Sequence, residues 1–180
     1  LNYLGREPRS AKPQDLAAAS ELLMKLRPYI HKFQSQPVTD LVNGNLCLSL
    51  GYSGDMTQAQ RTSDSAGKST RFEYRIPREG TTVWMDTMAI PVDAKHPEYA
   101  YAFINFVMRP QNMAAISNFT GYPTSNAKAR PSVDATMRNN PDIYLDEATY
   151  ARLIPGKDIP QADMRARMRT WTKFKTATAK

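Results

Sequence analysis

Asn45-Leu46-Cys47-Leu48-Ser49-Leu50-Gly51-Tyr52-Ser53-Gly54-Asp55 is an apolar run that ends on two glycines, an aromatic ring and a carboxylate. A short apolar run bounded by turn residues predicts a buried strand, with Cys47 inside as a small core residue. Gly51 and Gly54 allow a tight bend, and Asp55 is placed to cap a helix from Met56 to about Ser65. The same ending recurs in Val83-Trp84-Met85-Asp86, within a second predicted strand from Thr81 to Ile90. Two aromatic–acid pairs at strand ends fall where α/β proteins place their ligand sites.

An aromatic face beside an anionic oxygen suits an organic cation. The ring attracts the charge by roughly 0.5–2 kcal/mol, and a carboxylate adds charge-assisted hydrogen bonds of about 1.5–3 kcal/mol each. Two separated anions also match a diamine, whose positive ends need separate partners while its methylenes need an apolar wall. Each residue has a plainer reading as well. Tyr52 and Trp84 could be core aromatics, Asp55 a helix cap alone, and Tyr122, before Pro123, a turn residue.

Outward from these pairs the chain reads as mixed α and β. Leu16, Ala19, Leu22, Leu23 and Leu26 recur at helical spacing and predict a helix from Asp15 to Tyr29. A short helix is expected from Val38 to Asn43, stopped by Gly44, and a strand from Arg71 to Pro77, joined to the Trp84 strand across Pro77-Arg78-Glu79-Gly80. His96-Pro97-Glu98 opens an amphipathic helix through Val107, Gln111 to Asn118 predicts another, and prolines 131, 141, 155 and 160 separate short helices beyond.

Composition narrows the functional classes. The 180 residues can hold one domain with a real core. A hydrophobic content of 41% and a mean hydropathy of -0.55 fit a soluble globular protein. No apolar run approaches the roughly 20 residues that span a bilayer. The opening Leu1-Asn2-Tyr3-Leu4 lacks both a Met and a basic-then-apolar leader, so the chain is expected to be a fragment of a longer mature protein. One cysteine leaves the redox compartment undecided.

The net charge of +7 gathers at one end, where Arg165, Arg167, Arg169, Lys173, Lys175 and Lys180 face Asp163 alone. Such a tail could hold nucleic acid or an acidic membrane. The competing reading is a terminal helix docked by Met164, Met168 and Trp171 with its cations solvated, and no groove-reading motif accompanies the charge. His31 and His96 lack a second ligand at metal spacing. There is no G-x-S-x-G, P-loop or G-x-G-x-x-G. Neither metal nor cofactor is expected, and the one enzymatic alternative is Asp55 with Asp86 as a glycosidase-like acid/base pair.

Taken together, several stretches resemble a known family. They include Leu26-Arg27-Pro28, Leu41-Val42-Asn43-Gly44, Gly51-Tyr52-Ser53-Gly54-Asp55, Ile76-Pro77-Arg78-Glu79-Gly80 and Trp84-Met85-Asp86. Phe103-Ile104-Asn105-Phe106, Arg109-Pro110, Tyr122, Asn139-Asn140-Pro141-Asp142-Ile143-Tyr144 and Trp171-Thr172-Lys173 continue the order. The chain resembles the C-terminal half of periplasmic putrescine/spermidine-binding proteins, the solute receptors of bacterial polyamine ABC importers.

The resemblance implies a two-lobed α/β fold of the type II periplasmic binding proteins, incomplete because the N-terminal half is absent, that closes on its ligand by domain rotation. It assigns residues 1–62 and 113–180 to the second lobe and 63–112 to the hinge crossing and the end of the first. It implies a periplasmic receptor without catalysis, monomeric when intact, whose partners are a polyamine and a membrane permease and not nucleic acid. Tyr52 takes the place of an indole lining the amine channel, and Trp84 of a second aromatic wall. Asp55 and Asp86 match the two principal anions, and Tyr122 matches a tyrosine contacting the ligand stem or an amine. Ser35 is a further candidate across a one-residue gap. The alternatives are a receptor of this fold for another organic cation and a nucleic-acid-binding protein using the basic tail.

Overall fold

A computed structural model describes residues 1–177. The chain divides into two compact units, each assembled from discontinuous segments.

The first unit comprises Leu1–Ser35, Pro77–Val83 and, of the described residues, 152–177. Helix α1, Pro13–Leu26, starts with proline at its first position and continues into a 3-10 turn at Arg27–Tyr29, since Pro28 supplies no amide to carry the α ladder on. Its leucine stripe is half-buried against α8, Gln161–Thr176. Asp163 in the first turn of α8 and Lys173 and Lys175 in its last complement the helix dipole. Strand β1, Thr82–Val83, pairs in parallel with β2, Ile154–Pro155, and these are the strands among the described residues.

Docking of α8 differs from expectation. Met164 and Met168 are exposed, and the buried anchor is Phe174, packed edge-on against Phe33 at 5.4 Å, with Trp171 at 5.8 Å from the same ring. Arg167 is drawn inward, donating to the carbonyls of Pro8 and Ser10 at 3.1 Å each. Arg165, Arg169 and Lys173 remain on the outer face. Lys180, part of the basic run, lies outside the described residues.

The second unit comprises Gln36–Ile76 and Trp84–Ala151. Its α2 (Val38–Val42) packs on α3 (Ser53–Ser65), burying Leu41, Val42, Ala59 and Ser63. Lys68 donates to the Val42 carbonyl at 2.7 Å, satisfying an end of α2. After α4 (Pro97–Val107) come α5 (Pro110–Thr120), α6 (Ala135–Arg138) and α7 (Glu147–Tyr150). The core lies beneath α5: Ala114, Ala129, Val133 and Met137, flanked by Met113, Ile143 and Tyr144.

Helical expectations hold, with α1, α2, α4 and α5 within a few residues of the predicted bounds. The strand expectations do not. Residues 45–51 and 71–77 carry no strand, and only Thr82–Val83 of the 81–90 stretch does. Leu48 is 86% and Leu50 98% exposed, and Cys47, expected in the core, is exposed. A strand exists only with a hydrogen-bonded neighbour, and none of the described residues pairs with these runs. No helix among the described residues is long and apolar enough to cross a membrane.

Candidate functional site

Five of the six candidate residues belong to the second unit. Tyr52 is the extended residue that precedes α3, and Asp55 is the third residue of that helix. The Asp55 carboxylate accepts the Tyr52 amide at 3.1 Å, the return half of a capping box. The plain and the functional readings of Asp55 therefore coexist. An ionised carboxylate has about four acceptor positions, so the cap occupies only part of it.

Trp84 stands at the first position after β1, and its ring meets that of Tyr52 edge-to-face, with centroids 5.0 Å apart and planes at 87°. Both rings are largely exposed, at 55% and 47%, and so are not core aromatics. Their T-shaped contact fixes one ring against the other while leaving π surface open. Asp86, two residues further on, is exposed and makes no hydrogen bond or ion pair among the described residues.

Tyr122 lies within electrostatic reach of both acidic groups. It follows Gly121 at the end of α5, where the Ser117 hydroxyl donates to its carbonyl. Gln58 and Arg61, both on α3, donate to the carbonyls of Thr120 at 3.3 Å and Phe119 at 3.1 Å, so side chains of α3 satisfy the free end of α5. Partial burial holds the Tyr122 phenol above its ordinary value, and the Asp55 charge pushes it the same way. Tyr52 and Asp86 add to this.

Neither Asp55 nor Asp86 has a Lys or Arg partner among the described residues, whereas Asp15, Asp64 and Asp142 all do. Two anions and three rings on one unit, without an internal cation, make a place for a positively charged guest. Among the described residues no group of three or more His, Cys, Asp or Glu could hold a metal ion. Ser35 belongs to the first unit, an exposed bend residue at the end of its opening segment. Ser117, Gln58 and Arg61, which hold the turn carrying Tyr122, were not legible in the sequence, because their partners are distant carbonyls.

The sequence profile of the bacterial extracellular solute-binding proteins matches residues 2–143. The chain belongs to that family. Among other bacterial extracellular solute-binding proteins, the putrescine/agmatine-binding protein of Pseudomonas aeruginosa is 43% identical over 179 residues, covering 99% of this chain and 49% of the relative. The putrescine-binding periplasmic protein PotF of Escherichia coli is 41% identical, covering 98% and 48%. The spermidine/putrescine ABC transporter substrate-binding protein PotD of Streptococcus pneumoniae superposes with a TM-score of 0.80 at 26% identity, over 97% of this chain and 52% of that one. The fold is therefore the α/β architecture of the solute-binding proteins. The chain spans about half the length of the relatives it matches.

Proposed function

We propose that this chain is part of a periplasmic receptor that captures polyamines and delivers them to the permease of an ABC importer, without catalysis. The observation that carries the proposal is the exposed Tyr52–Trp84 ring pair with Asp55 and Asp86 on the same unit. Both carboxylates lie within electrostatic reach of the Tyr122 phenol, and neither has a cationic partner among the described residues. Names of three relatives support the ligand class: putrescine/agmatine-binding, putrescine-binding and putrescine/cadaverine-binding.

In this proposal Asp55 and Asp86 grip separate amine nitrogens, Tyr52 and Trp84 pack the methylenes and face the charge, and Tyr122 orders Asp55 or meets an amine directly. Ser35 is retained as an outer candidate. The lobe boundaries, 1–62 with 113–180 against 63–112, belong to the same proposal, as does a monomeric intact receptor. Exclusion of water on closure would strengthen each ion contact. The net charge of +7 does not oppose cation capture, because recognition follows the local field.

The test is calorimetry with putrescine, spermidine and a quaternary amine, on the chain fused to the remaining half of a putrescine-binding relative. Heat with a diamine or triamine is the expected result. Heat with the quaternary amine alone would redirect the site to another organic cation, and silence with all three would end the proposal.

A further inference from the structure

Gly54 lies within the first turn of α3, where alanine would favour the helix more. The reason for glycine is therefore to be found in packing. A Cβ built at Gly54 would fall 2.6 Å from Cδ2 and 2.5 Å from Cζ of Tyr122, inside the ring rather than against it. The Tyr122 backbone is held, because its carbonyl accepts the hydroxyl of Ser117, which is buried, so a methyl at Gly54 must turn the ring away.

Gly121 approaches from the other side. Its φ of +81° is the left-handed conformation that ends α5. A Cβ there would sit 2.7 Å from the Thr57 Cβ and 3.3 Å from the Gly54 carbonyl oxygen. Each glycine thus yields room to the other's helix, and the end of α5 seats directly on the start of α3. The residue after Gly121 is Tyr122, and the residue after Gly54 is Asp55.

We infer that Gly54 and Gly121 are positioning residues of the amine site: their missing side chains let the two helix ends close, which lays the Tyr122 ring across the first turn of α3 beside Asp55. This deepens the polyamine proposal and rests on it for the meaning of the site, though not for the geometry.

The test is Gly54→Ala. Its readout is the ultraviolet titration of the Tyr122 phenol, taken as the difference between each protein and its Tyr122→Phe counterpart. With the ring displaced from Asp55 and exposed to water, the phenol is expected to titrate closer to ordinary tyrosine while thermal unfolding stays cooperative. An unchanged titration in a folded Gly54→Ala chain overturns the inference. Should Gly54→Ala not fold, Gly54→Ala with Tyr122→Ala decides: recovery of folding supports the close approach, and continued failure overturns it. In the fused receptor, putrescine affinity is expected to fall roughly tenfold or more in Gly54→Ala. If the parent protein binds no putrescine, the polyamine proposal fails, and the phenol titration still judges the glycines.

Discussion

Asp86 carries its charge without a partner, and substitution there tests recognition with little structural disturbance. Asp86→Asn removes the charge and keeps the shape. Putrescine binding in the fused receptor should weaken by at least about 1.5 kcal/mol, roughly tenfold, in calorimetry; an unchanged dissociation constant would falsify its role. Asp15 is the opposite kind of carboxylate. It is buried and accepts from the Ser10 hydroxyl and the Arg6 guanidinium, each at 2.5 Å. The Ser10 bond outweighs the opposing effect of burial, and with Arg6 it holds the carboxyl below its ordinary value. A group depressed in the folded state contributes stability above its unfolded pKa and loses it as pH falls through the folded one. Thermal unfolding of the first unit should therefore move to lower temperature on acidification, and Asp15→Asn should flatten that acid limb. Equal slopes in the two proteins would exclude Asp15 as the cause.

Elements were legible in proportion to how local their signals are. The stripe from Leu16 to Leu26 and Pro97 at a helix start each act within a turn or two, and the helices formed where they pointed. The run from Leu46 to Leu50 announces burial but says nothing about the neighbour that must supply it, and no described segment does. The site shows the same division. Tyr52 and Asp55 stand one helical turn apart and could be read directly, whereas the fit of Tyr122 on Gly54 joins separate helices and left no local trace. Phe174 was likewise passed over in favour of Met164, Met168 and Trp171, all far more exposed than it on α8. Phe174→Ala should destabilise the first unit by about 3–5 kcal/mol, measured by denaturant with Trp171 fluorescence in a Trp84→Phe background. Met168→Ala, at an exposed site, should change it by less than about 0.5 kcal/mol.

At the scale of the whole molecule, an exposed apolar surface accompanies a length about half that of the relatives. Leu48, Leu50, Val92, Phe103 and Phe106 are all exposed, and α4 buries none of its residues. Exposed apolar area of this kind drives association. The chain alone should bind putrescine far more weakly than the fused receptor and should self-associate in sedimentation. Leu50→Lys should shift it toward monomer without altering the Trp171 environment. Tight putrescine binding by the unaccompanied chain would show that residues 1–180 already enclose the ligand. A different consequence follows from the way the first unit is pieced together. Helix α1 rests on α8, and Phe33 on Phe174, partners far apart in sequence. Synthesis delivers α1 and Phe33 before α8, so they wait for that partner while residues 36–151 emerge and organise. Formation of that unit thus waits for synthesis of α8, and a stop before Phe174 leaves α1 and Phe33 without that partner.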